Sequence, residues 1–277
     1  MNIMNVIPIY LMNFRSIFLL FIIFSFAGWC AEVFYVGVFF EHKFINRGFL
    51  HGPLCPIYGC GGVVILFLPQ AILSSWIPLF LSSMVLCTAV EYFISWLLEK
   101  LFHTLWWDYS HYKINLNGRI CLLNSLLFGL MGLLSVHFVI PFVQQFINML
   151  SSVQLIISTD IIGLLFVVDF VFTIKRLVDF TATMTKIKTF GESLKDHYGH
   201  EKWFRNESFE AMINSVKEHA AVEKDKINKN ILEKIEKLQT HHLHIEGFVK
   251  RFPTMKSSHF KDELSAIKQF IRQRKSK

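Results

Sequence analysis

The chain has 277 residues, 53% of them apolar, with 29 phenylalanines, 18% charged side chains and a mean hydropathy of +0.42. This composition excludes an ordinary soluble domain and directs attention to runs of about 20 apolar residues, the length that crosses roughly 30 Å of hydrocarbon. The net charge of +7 is unevenly placed: Lys175–Lys277 holds 22 of the 28 Lys/Arg and 14 of the 21 Asp/Glu, leaving 6 basic and 7 acidic side chains before it.

The expected architecture is all-α: a polytopic membrane domain over residues 1–180 and a basic, cytoplasmic, helical or coiled-coil tail over 181–277. Five spans are predicted, at about 14–40, 53–72, 76–98, 120–147 and 153–174. The amino terminus has no basic n-region and its first apolar run exceeds a signal-peptide core, so it reads as a retained span. The loops around Lys43/Arg47, Lys100/Lys113/Arg119 and Lys175/Arg176 are basic, while 69–75 and 148–152 contain no Lys or Arg. The positive-inside rule then predicts a cell-membrane protein with the amino terminus outside and the tail in the cytoplasm, with only Arg15 arguing the other way.

The first span carries Glu32 in "FAGWCAEVFYVGVF", and the stretch "NRGFLHGPLCPIYGCGG" (residues 46–62) follows it. Five glycines and two prolines make this a poor helix former, and broken backbone at membrane depth needs protein or a water-filled cavity around it. Two readings stay open: a tight turn with glycines for close helix packing, or a partly unwound helix start lining a polar cavity. The sequence "GCGG" lacks the lysine of GxxxxGK[ST] and is not GxGxxG, so it is no nucleotide loop. Cys30, Cys55, Cys60, Cys87 and Cys121 form no CxxC pair, so neither a disulfide framework nor a cysteine zinc site is expected. A metal site built from Cys55, Cys60 and His51 is disfavoured, and no cofactor is expected.

The third span rhymes with the first. It carries Glu91 in "LCTAVEYFISWLLE", and the loop after it contains "NGRI" as the earlier loop contains "NRGF". The spans thus read as two similar hairpins plus one, a parallel internal repeat. Glu91 shares a helical face with Cys87 and Ser95. Ser125, Gly129 and Gly132 of the fourth span form a packing face. Trp106, Trp107 and Tyr109 read as an interfacial aromatic belt, and His137 as an outer-end residue. In the fifth span Asp169 lies near the inner end, seven residues before Arg176, with Asp160 nearer the outside.

An unpaired acid in a span costs roughly 2.5–3.5 kcal/mol on insertion scales, so each needs a partner or a wet cavity. Glu32, Glu91 and Asp169 lie at similar depth, near loops bearing Arg47, His51, Asp108 and Arg119. The economical arrangement pairs these acids with arginines, either as buried salt bridges fixing helix register or as a polar vestibule open to the cytoplasm. In the tail, apolar residues from Ile213 to Ile245 recur at spacings of three, four or seven, which predicts a long amphipathic helix from about Ser208 to Val249 with Glu223 as a flaw in its seam. Phe252–Pro253 ends it and a last short helix follows. His241, His242 and His244 read as solvated, and the basic charge as a solvated face that could also attract anionic lipid.

Together, "FAGWCAEVFY", "NRGFLHGPLCPIYGCGG", "VEYFISWLLEKLF", "WWDYSHYKINLNGRICLLNSLLFG" and "RFPTMKS" resemble the bacterial membrane-protein family labelled putative ABC transporter type IV, or CmpB-like. The resemblance covers residues 24–132 well and the tail loosely, and its most specific words are W-D-Y-S and G-R-I-C. It implies a multi-pass permease role and carries over Glu32, Gly52, Pro53, Tyr58, Gly59, Glu91, Asp108, Gly118 and Arg119 as characteristic positions, without their roles. A transport subunit around Glu32, Glu91, Arg47 and Arg119 would need a separate ATP-binding subunit, since the chain has no Walker A sequence, and five spans imply a homo- or hetero-oligomer. Two alternatives stay open: an enzyme acting on a lipid-linked substrate at the inner leaflet, with His51, Asp108 or Glu91 as acid or base, and a scaffold working through its tail. No catalytic motif favours the enzyme, and no nucleic-acid partner is expected.

Overall fold

The computed structural model describes residues 12–36, 46–222, 229–240 and 243–275. Lys43, the 37–40 end of the first expected span, and Glu223, Ile227, His241 and His242 of the tail lie outside the described residues. About 76% of the chain is helical. Among the described residues the only strands are the two-residue pair β1 (Asn115–Leu116) and β2 (Ile120–Cys121), so the fold is all-α.

The chain divides into two compact units, Met1–Leu97 with Trp107–Ile174, and Leu98–Trp106 with Lys175–Lys277. In the first, Asn13 Oδ1 accepts the Ser16 N–H at 2.8 Å and caps α1 (Phe14–Val36), a helix with no acidic residue in its first turn. α4 (Trp76–Phe102) is the next long apolar helix. Helix α5 (Leu122–Leu134) passes through a π-helical turn (Ser135–Val139) into α6 (Ile140–Met149), giving a continuous apolar stretch over Leu122–Met149. Helix α7 (Ser152–Tyr198) opens on a reciprocal capping box, the Ser151 N–H donating to Gln154 Oε1 at 2.9 Å and the Gln154 N–H to Ser151 Oγ at 3.3 Å. It runs well past 174, where the expected span ends. Among the described residues these four helices are long and apolar enough to cross a membrane.

The expected span at 53–72 has a different form. It is a ten-residue helix, α2 (Pro56–Ile65), and a single turn, α3 (Gln70–Leu73). Ten residues rise about 15 Å, half the thickness of a hydrocarbon core. The physical reason lies in the prolines. Pro56 can only start a helix, and Leu66, Phe67 and Leu68 donate to carbonyls three residues back, tightening the chain before Pro69 ends it. α2 packs along α1 at a glycine. A Cβ on Gly59 would fall 2.6 Å from the Phe21 carbonyl oxygen and onto the Ser25 hydroxyl. The apolar centre of this unit is Leu19, Leu20 and Phe24 of α1 with Ile65, Leu66, Leu73, Leu79, Val136, Ile140, Val143 and Ile147. His137 stacks on Trp76 with ring centroids 4.4 Å apart.

In the second unit the seam extends beyond the tail's own apolar spacing, whose Ile213, Val216, Ala220, Ile235 and Ile245 are buried. In α7, Leu177, Phe180, Met184, Ile187, Leu194 and Tyr198 recur at alternating steps of three and four, and all are buried; Gly191 fills the one missing place, against Phe209. Within the expected helix over 208–249 the described residues form α8 (Phe209–Val222), α9 (Lys229–Thr240) and α10 (Leu243–Arg251), and α11 (Lys261–Lys275) follows, with α8 packed on α11. Their inward residues include Met212, Ile213, Val216, Ile235, Ile245, Phe248, Leu264 and Ile267.

Trp106 is a correction to the aromatic-belt reading. It is 1% exposed, with Phe180, Phe248 and Phe252 at centroid distances of 5.7, 5.4 and 5.4 Å. The strand-like exchange of hydrogen bonds between Leu105 and Lys256 (2.7 and 2.8 Å) holds it there. An aromatic side chain that completes a core has no part left for an interface.

Candidate functional site

The Gly/Pro stretch folds back along α1 rather than leaving it. The Cys55 N–H donates to the Ser25 carbonyl at 3.0 Å, which sets the start of α2 beside the middle of α1. Between them the backbone is irregular and its polar groups need partners. Asn46 supplies one set: its Oδ1 accepts the Gly48 N–H at 2.9 Å and the Trp29 indole N–H at 2.8 Å, and its Nδ2 donates to the His51 carbonyl at 3.0 Å. Asp169 of α7 supplies the other, accepting the His51 N–H at 2.9 Å and the Gly52 N–H at 2.8 Å, one on each carboxylate oxygen. Thr173 Oγ1 steadies it from the next turn at 3.4 Å. His51 therefore enters through its backbone, while its side chain is exposed. The Arg47 carbonyl accepts the Cys55 thiol.

The two carboxylates of the rhyming spans are each held by a tyrosine. Tyr58 of α2 donates its hydroxyl to Glu32 Oε1 at 2.8 Å, and Tyr109 donates to Glu91 Oε1 at 3.3 Å. Glu32 and Glu91 lie within electrostatic reach of one another and both act on Tyr109. Burial, then the charges of Glu91 and Glu32, push the Tyr109 phenol well above its ordinary range, so it stays a donor. Glu91 is 5% exposed, whereas Glu32 is half-buried. Among the described residues, the side-chain hydrogen bonds that Glu32 and Glu91 accept come from tyrosines. A phenol can satisfy a carboxylate without bringing a second charge out of water.

Tyr109 reaches Glu91 because its loop is tightly built. Asn117 and Gly118 carry φ values of 55° and 67°, the left-handed pair that turns β1 into β2. A Cβ on Gly118 would stand 2.5 Å from Asp108 Oδ1, the oxygen that accepts the Ser110 N–H at 3.1 Å and the Ser110 hydroxyl. The Tyr109 N–H donates to the Gly118 carbonyl at 2.8 Å and the Trp107 indole to the Arg119 carbonyl at 3.0 Å. Trp107 and Tyr109 are thus half-buried and tied into this loop by their polar atoms. The Arg119 guanidinium lies over the Tyr92 ring, 5.6 Å from its centroid.

The predicted residues therefore fall into three groups. Glu32, Tyr58 and Glu91 meet around Tyr109. Asp169 joins His51 and Gly52. Asp108, Gly118 and Arg119 build the loop, while Pro53 is exposed and Gly59 lies in the α1–α2 contact. Sequence reasoning missed Tyr109 as a ligand of Glu91 and Asn46 as the organiser of its turn. The dipeptide Asn117–Gly118 was a signal for the hairpin; no sequence signal connects Tyr109 to Glu91. It also left Arg15 and Asp160 as separate anomalies, yet Arg15 Nη1 pairs with Asp160 Oδ1 at 2.5 Å and donates to Thr159 Oγ1.

Neither the curated proteins nor the solved structures include a match to this chain. The family described as putative ABC-transporter type IV matches residues 19–174, a stretch that contains Glu32, Tyr58, Glu91, Tyr109 and Asp169. With that match over more than half its length and four apolar helices of spanning length, the chain belongs to the putative ABC-transporter type IV family of membrane proteins.

Proposed function

We propose that the chain is the permease subunit of an ABC-type transport assembly, with a solute site around Glu32 and Glu91 open to the cytoplasm. The observation that carries this reading is the pair of carboxylates itself. They come from two different apolar helices, are held by Tyr58 and Tyr109, and lie within electrostatic reach of one another. The short helix α2 supports it, because half-length helices that begin beside the middle of a span are a recurring way to build solute sites in transporters.

In this reading the protein sits in the cell membrane with its amino terminus outside and its tail in the cytoplasm. Arg15, the one basic residue that opposes that orientation, is paired with Asp160. Energy comes from a separate ATP-binding subunit, the spans work as an oligomer, and the basic tail contacts anionic lipid.

The test is purification in mild detergent at native expression level, followed by mass spectrometry of what accompanies the chain. A Walker A ATPase at near-stoichiometric amount is the expected result. A clean self-oligomer with no ATPase would overturn the ABC-type reading.

A further inference from the structure

The Glu32–Glu91 cluster has more acceptors than donors. Tyr58 and Tyr109 each spend their single hydroxyl proton on one Oε1. Glu91 Oε2 is buried and has no hydrogen-bond partner among the described residues. One turn further along the same face of α4, the hydroxyl of Ser95, a residue 2% exposed, is likewise without a partner. Buried acceptors in this state mark a place where something else donates.

Charge points the same way. The groups acting on Glu91 are Tyr109 and Glu32, and Glu91 in turn acts on Cys87 of its own helix; no Lys or Arg is among them. Further titratable groups are Cys121, which acts on Tyr109, and Cys55, which acts on Tyr58 and is itself within reach of Glu32 and Arg47. A ligand that brings positive charge and hydrogen-bond donors together suits the unpartnered Glu91 oxygen. Among the described residues no three His, Cys, Asp or Glu side chains gather in a way that could hold a metal ion. An alkylammonium group carries its charge on up to three N–H donors, which suits two carboxylates and a hydroxyl.

We infer that Glu91, Glu32 and Ser95 bind the ammonium group of a small primary amine, which makes amines the substrate class of this site. The inference rests on reading the cluster as a solute site, and its test needs neither transport nor a partner. Full-length protein in lipid nanodiscs is treated with a hydrophobic carbodiimide, and modification of Glu91 is followed by mass spectrometry. Methylammonium, tetramethylammonium, sodium or calcium chloride is present at equal ionic strength and pH.

Methylammonium should slow the modification of Glu91 at least fivefold. Tetramethylammonium, which has the charge but no N–H, should protect much less, and sodium and calcium should not protect. Glu32→Gln should abolish the methylammonium effect, and Ser95→Ala should weaken it while leaving the protein folded by gel filtration and tryptophan fluorescence. Equal protection by sodium or calcium would make this a metal-cation site and overturn the inference. Modification that responds to pH alone would leave a proton as the only ligand, which also overturns it. Co-purification of an ATPase with no amine protection would leave the transport reading standing without this substrate class, and amine protection without an ATPase would do the reverse.

Discussion

Replacing Asp169 with alanine should release the turn that precedes α2. The Asp169 carboxylate accepts two consecutive backbone N–H groups, from His51 at 2.9 Å and Gly52 at 2.8 Å, one on each oxygen. Alanine leaves both donors without that acceptor. Each buried donor so abandoned costs about 1–3 kcal/mol, and hydrogen bonds to a charged group sit toward the upper end of the range. Solvent can reach part of this turn, since His51 and Pro53 are exposed, so a combined cost of about 3 kcal/mol is a fair expectation. That shifts a local opening equilibrium by about a hundredfold, at roughly 1.4 kcal/mol per factor of ten. Cys55 reports it. Its side chain is 4% exposed and its backbone N–H is tied to the Ser25 carbonyl, so it reacts only when the turn lifts away from α1. A water-soluble maleimide followed by peptide mass spectrometry measures its modification separately from that of Cys30, Cys60, Cys87 and Cys121. Asp169→Ala should raise the Cys55 rate by one to two orders of magnitude, and Asp169→Asn, which keeps one acceptor oxygen, should fall between. An unchanged rate in a protein that elutes normally and keeps its helicity would refute the idea that Asp169 holds this turn.

Two further substitutions test the loop and the second unit. Gly118→Ala puts a side chain at a φ of 67° and against Asp108 Oδ1, so it should cost about 1–3 kcal/mol, read as a lowered melting temperature in detergent and a loosened Tyr109. Trp106→Ala empties the centre of the Phe180–Phe248–Phe252 cluster and should cost about 3–5 kcal/mol, seen as rapid proteolysis within 175–277 while the apolar helices stay protected. Resistance equal to the parent protein would place Trp106 outside that core.

The apolar helices were legible because hydropathy and length are local properties, and four of the five expected spans are helices of crossing length. The second was misread for a local reason too: "VVILFLP" is apolar enough, but its carbonyl pattern tightens toward Pro69 and the helix stops. Trp106 and Trp107 are adjacent and chemically alike, yet one completes an aromatic core and the other donates to the Arg119 carbonyl. Nothing in the dipeptide separates them. The 3–4 spacing from Leu177 to Tyr198 was present in the sequence, hidden because the charge run before it looks like solvated tail. The site was legible as a set of acids and opaque as a set of partners. Asp169 binds main-chain N–H groups, which every residue has, and Tyr58 and Tyr109 meet their glutamates across 26 and 18 residues of chain.

The two tyrosines make the sharpest comparison, because bond length and burial predict opposite orders. Tyr58 holds Glu32 at 2.8 Å and Tyr109 holds Glu91 at 3.3 Å, so distance alone says that Tyr58→Phe is the more damaging change. Burial says the reverse. Glu32 is half-buried, and water can replace the lost hydroxyl at little net cost. Glu91 is 5% exposed, and the Tyr109 hydroxyl is its only hydrogen-bond donor among the described residues. Removing that donor strands a buried carboxyl group where water does not reach, a penalty of about 1–3 kcal/mol against less than about 1 kcal/mol for the exposed case. Tyr109→Phe should therefore lower the melting temperature of the detergent-solubilised protein clearly more than Tyr58→Phe. Adding Glu91→Gln to Tyr109→Phe should recover part of the loss, because a neutral amide is cheaper to leave with fewer partners, while Glu32→Gln should do little for Tyr58→Phe. If Tyr58→Phe proves the costlier change, water reaches Glu91 in the membrane, and the case for Glu91 as a desolvated binding group collapses with it.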